Sequence, residues 1–373
     1  MIKSEIIKGQ KSWILENKNI RLSLTEKGGH MAPVVFMRDS KNPIEPFYIN
    51  PWAEEDVDME KEPDVLIPLR GDFFCLPFGG DNSWNGESHP VHGESAGSIW
   101  HLVSEKEDSS ITLKINIKAR KGSVTKKIGI KEGENNLYIS HLVEGFAGPA
   151  SLGHHATFPG GSKKYISTST IKFGYTNKYE NSSYNSGEYY SLASLEKFES
   201  LQKVPTLWKD NEYTDCSVFP AREGFVDIIQ VYNKPRKDFA WSAVTVPEEG
   251  YLWFSLKDSD ILPSTVLWME NKGRHQNPWN GRNCCIGVED VCSSFADGLA
   301  VSAEKNFLNG EGIKTCHQLN GKDSFTVKYI QGVVRIPEGF DRVKTIVKKD
   351  DGVLITSFSG NEVFTVVDAD FLF

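Results

Sequence analysis

Residues 111–119, ITLKINIKA, place Ile111, Leu113, Ile115 and Ile117 at every second position, with Thr112, Lys114 and Asn116 between them. A period of two puts the aliphatic side chains on one face of a pleated strand, whereas an amphipathic helix repeats near 3.6. Residues 136–143, NLYISHLV, do the same with Leu137, Ile139, His141 and Val143. Outward from these, strand-like segments recur at 20–24, 124–130, 164–171, 226–232, 239–246, 251–256, 264–269 and 284–289, and again at 324–336, 343–349, 352–358 and 362–368. Gly28-Gly29, Asn309-Gly310, Asn320-Gly321, Asp351-Gly352 and Ser359-Gly360 supply turn chemistry between them. Only 51–61 and 291–305 read as short helices, and 177–200 reads as a long polar loop. Many strands without alternating helices predict an all-β chain, a large antiparallel β-sandwich. With no repeat and no linker-like tract, one domain spanning 1–373 is expected, its segment 296–373 completing the sandwich.

The chain has 373 residues, 42 Lys plus Arg against 50 Asp plus Glu, and a net charge of −8. An acidic average argues against nucleic acid as a partner, because counterion release needs clustered cations facing phosphates. With 39% hydrophobic residues the chain can bury a large core, which excludes global disorder. No apolar run approaches the ~18 residues of a membrane span, and the first residues, MIKSEIIKGQKSW, hold no apolar signal core. A cytoplasmic protein with no membrane partner is expected. The cysteines at 75, 216, 284, 285, 292 and 316 lack zinc-type spacing and read as reduced thiols.

Histidines make the sequence specific. In SLGHHATFP (151–159), Leu152, His154, Ala156 and Phe158 share one face of a strand, and Gly153, His155 and Thr157 share the other, which small and polar groups line. His155 therefore faces the side with room for a ligand. In CCIGVED (284–290), Cys284, Ile286 and Val288 form an apolar face while Gly287 and Glu289 lie opposite, a carboxylate beside a glycine that leaves space above the sheet. Arg70 in PLRGDFFCLPFG offers a planar donor fork for hydroxyls or an anion, or it pairs a buried carboxylate. His89, His101, His141 and His154 each have an ordinary structural reading as satisfied strand residues, and Glu289 has one as a strand-end carboxylate.

Taken in order, these segments resemble the galactose mutarotase-like proteins, the aldose 1-epimerases and their glucose-6-phosphate 1-epimerase relatives. RGDFFCLPFGG (70–80) and HPVHGESAGSIWHL (89–102) look like the Arg-Gly and His-Gly segments of the hexose-phosphate branch. GHHATF (153–158) is similar to the segment carrying the family's catalytic histidine, which puts that role on His155 and a neighbouring one on His154. CCIGVED is similar to the late strand whose glutamate is the catalytic base, which puts that role on Glu289. Where the hexose-phosphate branch continues with Phe-Ala-Arg, this chain has Glu94, Ser95 and Ala96, so a phosphate partner is missing and a non-phosphorylated sugar is expected.

The resemblance implies mutarotation without a cofactor or metal. One group protonates the ring oxygen and another takes the proton of the anomeric hydroxyl; the expected acid is His155 and the expected base Glu289. Arg70, His92 and His154 are expected to bind the sugar. Trp268, Glu270 and Asn271 in LWMEN, with His275 and Trp279 in GRHQNPW, are expected to wall the pocket or else to be an ordinary strand and loop. A monomer or homodimer is expected. Two alternatives remain: a carbohydrate-binding protein without catalysis, and a metal-dependent sugar isomerase or lyase using the same His and Glu types. Adjacent strand residues such as His154 and His155 point apart, which counts against a shared ion.

Overall fold

The structure is a computed structural model that describes residues 2–80, 82–103, 109–179 and 187–373; part of the expected loop at 177–200 lies outside the described residues. Two antiparallel sheets face each other. The nine-stranded sheet runs from edge to edge through Val218–Phe219, Lys164–Thr168, Ala240–Val246, Tyr251–Lys257, Phe325–Arg335, Asn136–Glu144, Gly122–Gly129, Ser110–Ile117 and His101–Leu102. The eight-stranded sheet runs through Lys197–Phe198, Ile171–Thr176, Phe225–Asn233, Ser264–Asn271, Cys284–Cys292, Leu152–His154 and Phe74–Cys75, with Ala156–Pro159 also paired to Cys284–Cys292. The alternation read from 111–117 and 137–143 is what fills the interior: Ile111, Leu113, Ile115, Leu137, Ile139 and Val143 meet Leu267, Met269, Ile286 and Val288 of the other sheet. Burying such side chains contributes about 1.5–3 kcal/mol each before chain entropy is subtracted.

Two further layers flank the sandwich. An N-terminal four-stranded sheet covers Lys3–Ile7, Gln10–Glu16, Arg21–Thr25 and Met31–Val35. A three-stranded sheet, Val343–Lys349, Gly352–Ser357 and Glu362–Val366, lays Val343, Ile346, Val353 and Ile355 on Trp241, Leu252, Phe254 and Ile330 of the nine-stranded sheet. Residues 296–373 were expected to complete the sandwich; Phe325–Arg335 does so, and the strands after it build this third layer instead.

Neither expected helix forms as read. Residues 51–61 are turns, in which Trp52 packs edge-on to Trp279 and gives its Nε1–H to the Leu66 carbonyl. Their carboxylates are spent on distant cations, Glu54 on Lys8 and Glu55 on Arg282, rather than on helix neighbours. Within 291–305 only Leu299–Ala303 is helical, because Cys284–Cys292 extends into its start as a central strand. All six cysteines are free thiols. Among the described residues, no helix is long and apolar enough to cross a membrane.

Candidate active site

The chain from Gly153 to Thr157 lies between two partners. On one side Gly153 pairs with Cys75, His155 N–H donates to the Phe73 carbonyl at 3.0 Å, and Thr157 N–H donates to Gly71 at 2.9 Å. On the other side runs Cys284–Cys292, where Gly153 meets Val291 and Ala156 meets Val288. One register serves both stretches, so His155 stands opposite Glu289. His155 faces outward from the sandwich, as its strand parity predicts. Its imidazole stacks on Phe73 (4.5 Å, 17°), and Nδ1 lies 3.1 Å from the Thr157 hydroxyl.

Glu289 Oε1 is 3.2 Å from His155 Nε2, with the two side chains 3% and 6% exposed. That contact lacks hydrogen-bond alignment, and Oε1 has no hydrogen-bond partner among the described residues. The carboxyl folds back over Gly287, where a Cβ would collide with Oε1 and displace the carboxyl. Burial pushes the Glu289 carboxyl well above its ordinary value of 4.5, against the pull of Arg274. Burial likewise drives His155 well below 6.5, and nearby His92 adds to the effect. Desolvation favours the neutral form of each group.

The pair lies in a cavity of about 440 Å³. His92 lines it, with its ring edge-on to His155 at 5.1 Å and to Phe78 at 5.0 Å. Gly79 N–H donates to His92 Nδ1, so the proton is on Nε2, and burial pushes the pKa down to about 4. Trp268, opposite Gly287 in register, is edge-on to His155 at 5.8 Å, and its buried Nε1–H has no acceptor among the described residues. Arg274 lies over the rings of Trp268 and Trp279, at 5.4 and 5.1 Å, with Nε 2.9 Å from Glu188. Asn177, Gln276, Asn277, Glu62 and Asp297 add polar groups to the wall. Among the described residues, no three His, Cys, Asp or Glu side chains converge to hold a metal ion.

Other expected site residues stand elsewhere. Arg70 is fully buried and gives Nε, Nη1 and Nη2 to the carbonyls of Pro68, Ile7 and Lys8, so its donor fork ties down the N-terminal hairpin and does not line the cavity. His154 points into the sandwich, where Nδ1 meets Asp72 Oδ2 at 2.7 Å. Glu270 sits at the end of its strand and accepts the Gly273 and Arg274 N–H groups; burial lifts its pKa to about 7. His275 is exposed on the loop, packed edge-on to Tyr189, while its neighbour Arg274 takes the place in the wall. Glu94, expected to repel a phosphate, instead accepts the Lys118 and Ala119 N–H groups. His89 contacts Glu87, His141 stacks on Phe74 in the interior, and His101 is exposed. The sequence reading passed over Phe73, Arg274 and Glu188; the aromatic at 73 was legible as the cross-strand neighbour of His155 only once the 71–75 pairing was known.

Solved structures share this architecture. A candidate aldose 1-epimerase from Escherichia coli K12 superposes with a TM-score of 0.58 at 16% identity, over 88% of this chain and 100% of that one. The chain has the galactose mutarotase-like fold. A galactose mutarotase related enzyme from Lactobacillus acidophilus matches this fold with a TM-score of 0.55 at 12% identity, over 88% and 99% of the two chains. A galactose mutarotase-like protein from Lactobacillus casei matches with a TM-score of 0.54 at 13% identity, over 87% and 100%. No protein-family model matches the sequence, and no curated protein is similar to it in sequence.

Proposed function

We propose that this protein interconverts the α and β anomers of a non-phosphorylated aldose, with His155 and Glu289 as the acid-base pair. The observation that carries the reading is the buried contact of these two side chains at 3.2 Å in a polar, Trp-walled cavity. Ring opening needs one proton delivered to the ring oxygen and one removed from the anomeric hydroxyl; closure on the other face of the aldehyde reverses both transfers. A pair holding one transferable proton suffices, and the two transfers return it to the same state. Burial favours the neutral form of both groups, so the resting roles we assign are the exchange of those expected from the sequence: Glu289 gives and His155 takes. His92 Nε2–H and Trp268 Nε1–H are donors available to ring oxygens, and the indole faces suit the C–H surface of a pyranose.

The neutral substrate rests on charge. Arg274 is the one arginine in the wall among the described residues, and Glu188 stands beside it with Glu62 and Asp297 also lining the cavity. A phosphate dianion would meet more carboxylates than guanidinium groups. The test is exchange NMR or polarimetry on freshly dissolved α-galactose, α-glucose and other neutral aldoses. Faster equilibration than in buffer is expected; a folded protein that binds sugar and speeds none of them overturns the proposal in favour of carbohydrate binding alone.

A further inference from the structure

Adjacent strand residues project to opposite faces, so His154 and Asp290 enter the sandwich directly behind His155 and Glu289. The register that sets His155 opposite Glu289 sets His154 opposite Asp290. Tyr329, from the nine-stranded sheet, joins these two rear residues. Its ring stacks on His154 (4.0 Å, 16°), and its hydroxyl donates to Asp290 Oδ2 at 2.7 Å. Asp72 completes the other end: its Oδ2 meets His154 Nδ1 at 2.7 Å and accepts from Gln331 Nε2 at 2.7 Å. Asp290 is further held by Lys257 at 2.5 Å and by Thr265, Ser242 and Ser255 at 2.7–2.8 Å. All of these groups are buried, and none lines the cavity.

Burying so many polar groups gains little stability over apolar packing of the same volume, which makes the position of the network its informative property. Its position is directly behind the front pair. His155 lies between the strands Leu152–His154 and Ala156–Pro159 in their common register and gives its N–H to Phe73 rather than to Glu289, so the pairs flanking it carry the spacing of His155 and Glu289, and His154–Asp290 is one of them.

We propose that Tyr329 is a positioning residue: by linking His154 to Asp290 on the rear face, with Asp72 as the second anchor, it sets the separation and facing of His155 and Glu289 on the front. Only the word catalytic for that front pair rests on the function proposed above. The test uses the full-length protein with labelled histidine and the variant Tyr329→Phe, which keeps the ring stack and removes the donor. The His155 imidazole resonances, assigned through His155→Asn, are expected to shift in Tyr329→Phe and in Asp72→Asn. Anomer exchange is expected to lose about tenfold or more in kcat with KM within about twofold, and its pH profile to move. Val353→Ala, which opens a cavity in the distant third layer, is the control: it lowers Tm with neither change. The proposal is overturned if Tyr329→Phe and Asp72→Asn behave like the control, with wild-type His155 resonances. If the wild-type protein equilibrates no aldose, the proposed function falls, while the resonances still decide the positioning role.

Discussion

Nε2 of His155 and Oε1 of Glu289 lie 3.2 Å apart, both side chains largely buried, yet they are not aligned to bond each other. Glu289 Oε1 is buried without a hydrogen-bond partner among the described residues, and a buried polar group without a partner forfeits roughly 1–3 kcal/mol. A ligand oxygen between them would recover that loss.

Glu289→Gln, which keeps the volume of the side chain, and His155→Asn, which keeps a polar group, each remove one proton-transfer partner. Each is expected to lower the rate of anomer exchange by about 10²–10⁴ while sugar affinity changes little. Exchange NMR with a parallel binding titration checks this, and unchanged rates in both variants would sink the acid-base assignment.

Stability should depend on pH through the same pair. Glu289 is raised above 4.5, so the folded state holds a proton that the unfolded chain releases; this contribution is full below pH 4.5 and is lost as pH climbs toward the folded value. His155 is depressed below 6.5, so its contribution is full above pH 6.5 and is lost as pH falls. Between 4.5 and 6.5 the two slopes oppose each other. Glu289→Gln removes only the first, so its stability relative to wild type should grow with pH above 4.5, by up to about 1.4 kcal/mol per pH unit. Urea unfolding at pH 5, 6, 7 and 8 reads this difference; a constant offset across the series would contradict it.

Gly287→Ala places a methyl where the Glu289 carboxyl folds back. A strand interior accepts alanine, so the protein should fold and lose activity by about tenfold or more as the carboxyl is displaced. A crystal structure of the variant with Glu289 unmoved, or full activity, would remove the steric role of this glycine.

Arg70 makes three hydrogen bonds to backbone carbonyls, two of them in the N-terminal hairpin turn. Arg70→Met should cost about 3 kcal/mol in stability with KM for sugar unchanged. A raised KM with unchanged Tm would return Arg70 to the binding site.

Strand parity explains which site residues were legible. Glu289 lies on a regular strand and His155 continues the register of the strands on either side of it, so counting by twos assigns the outward face of both, and each lines the cavity, as does Trp268, read only as a wall candidate. Parity fails where the strand does. Arg70 precedes Gly71, whose φ of 51° turns the chain, and Glu270 stands where its strand bends into the 271–274 turn, whose N–H groups claim the carboxylate. In the loop, nothing in the pattern distinguishes Arg274 from His275; its place in the wall follows from the ring contacts with Trp268 and Trp279.

By itself the sequence determined the strands, their buried faces and the outward direction of His155 and Glu289, because a two-residue period is local and each strand carries its own copy. Only the tertiary structure decided that these two residues, 134 positions apart in the chain of 373, meet in one register, that burial favours the neutral form of both, and that Tyr329 contacts their neighbours from behind. Register, desolvation and contact between sheets depend on which strands pair, and no single strand's pattern encodes its partner.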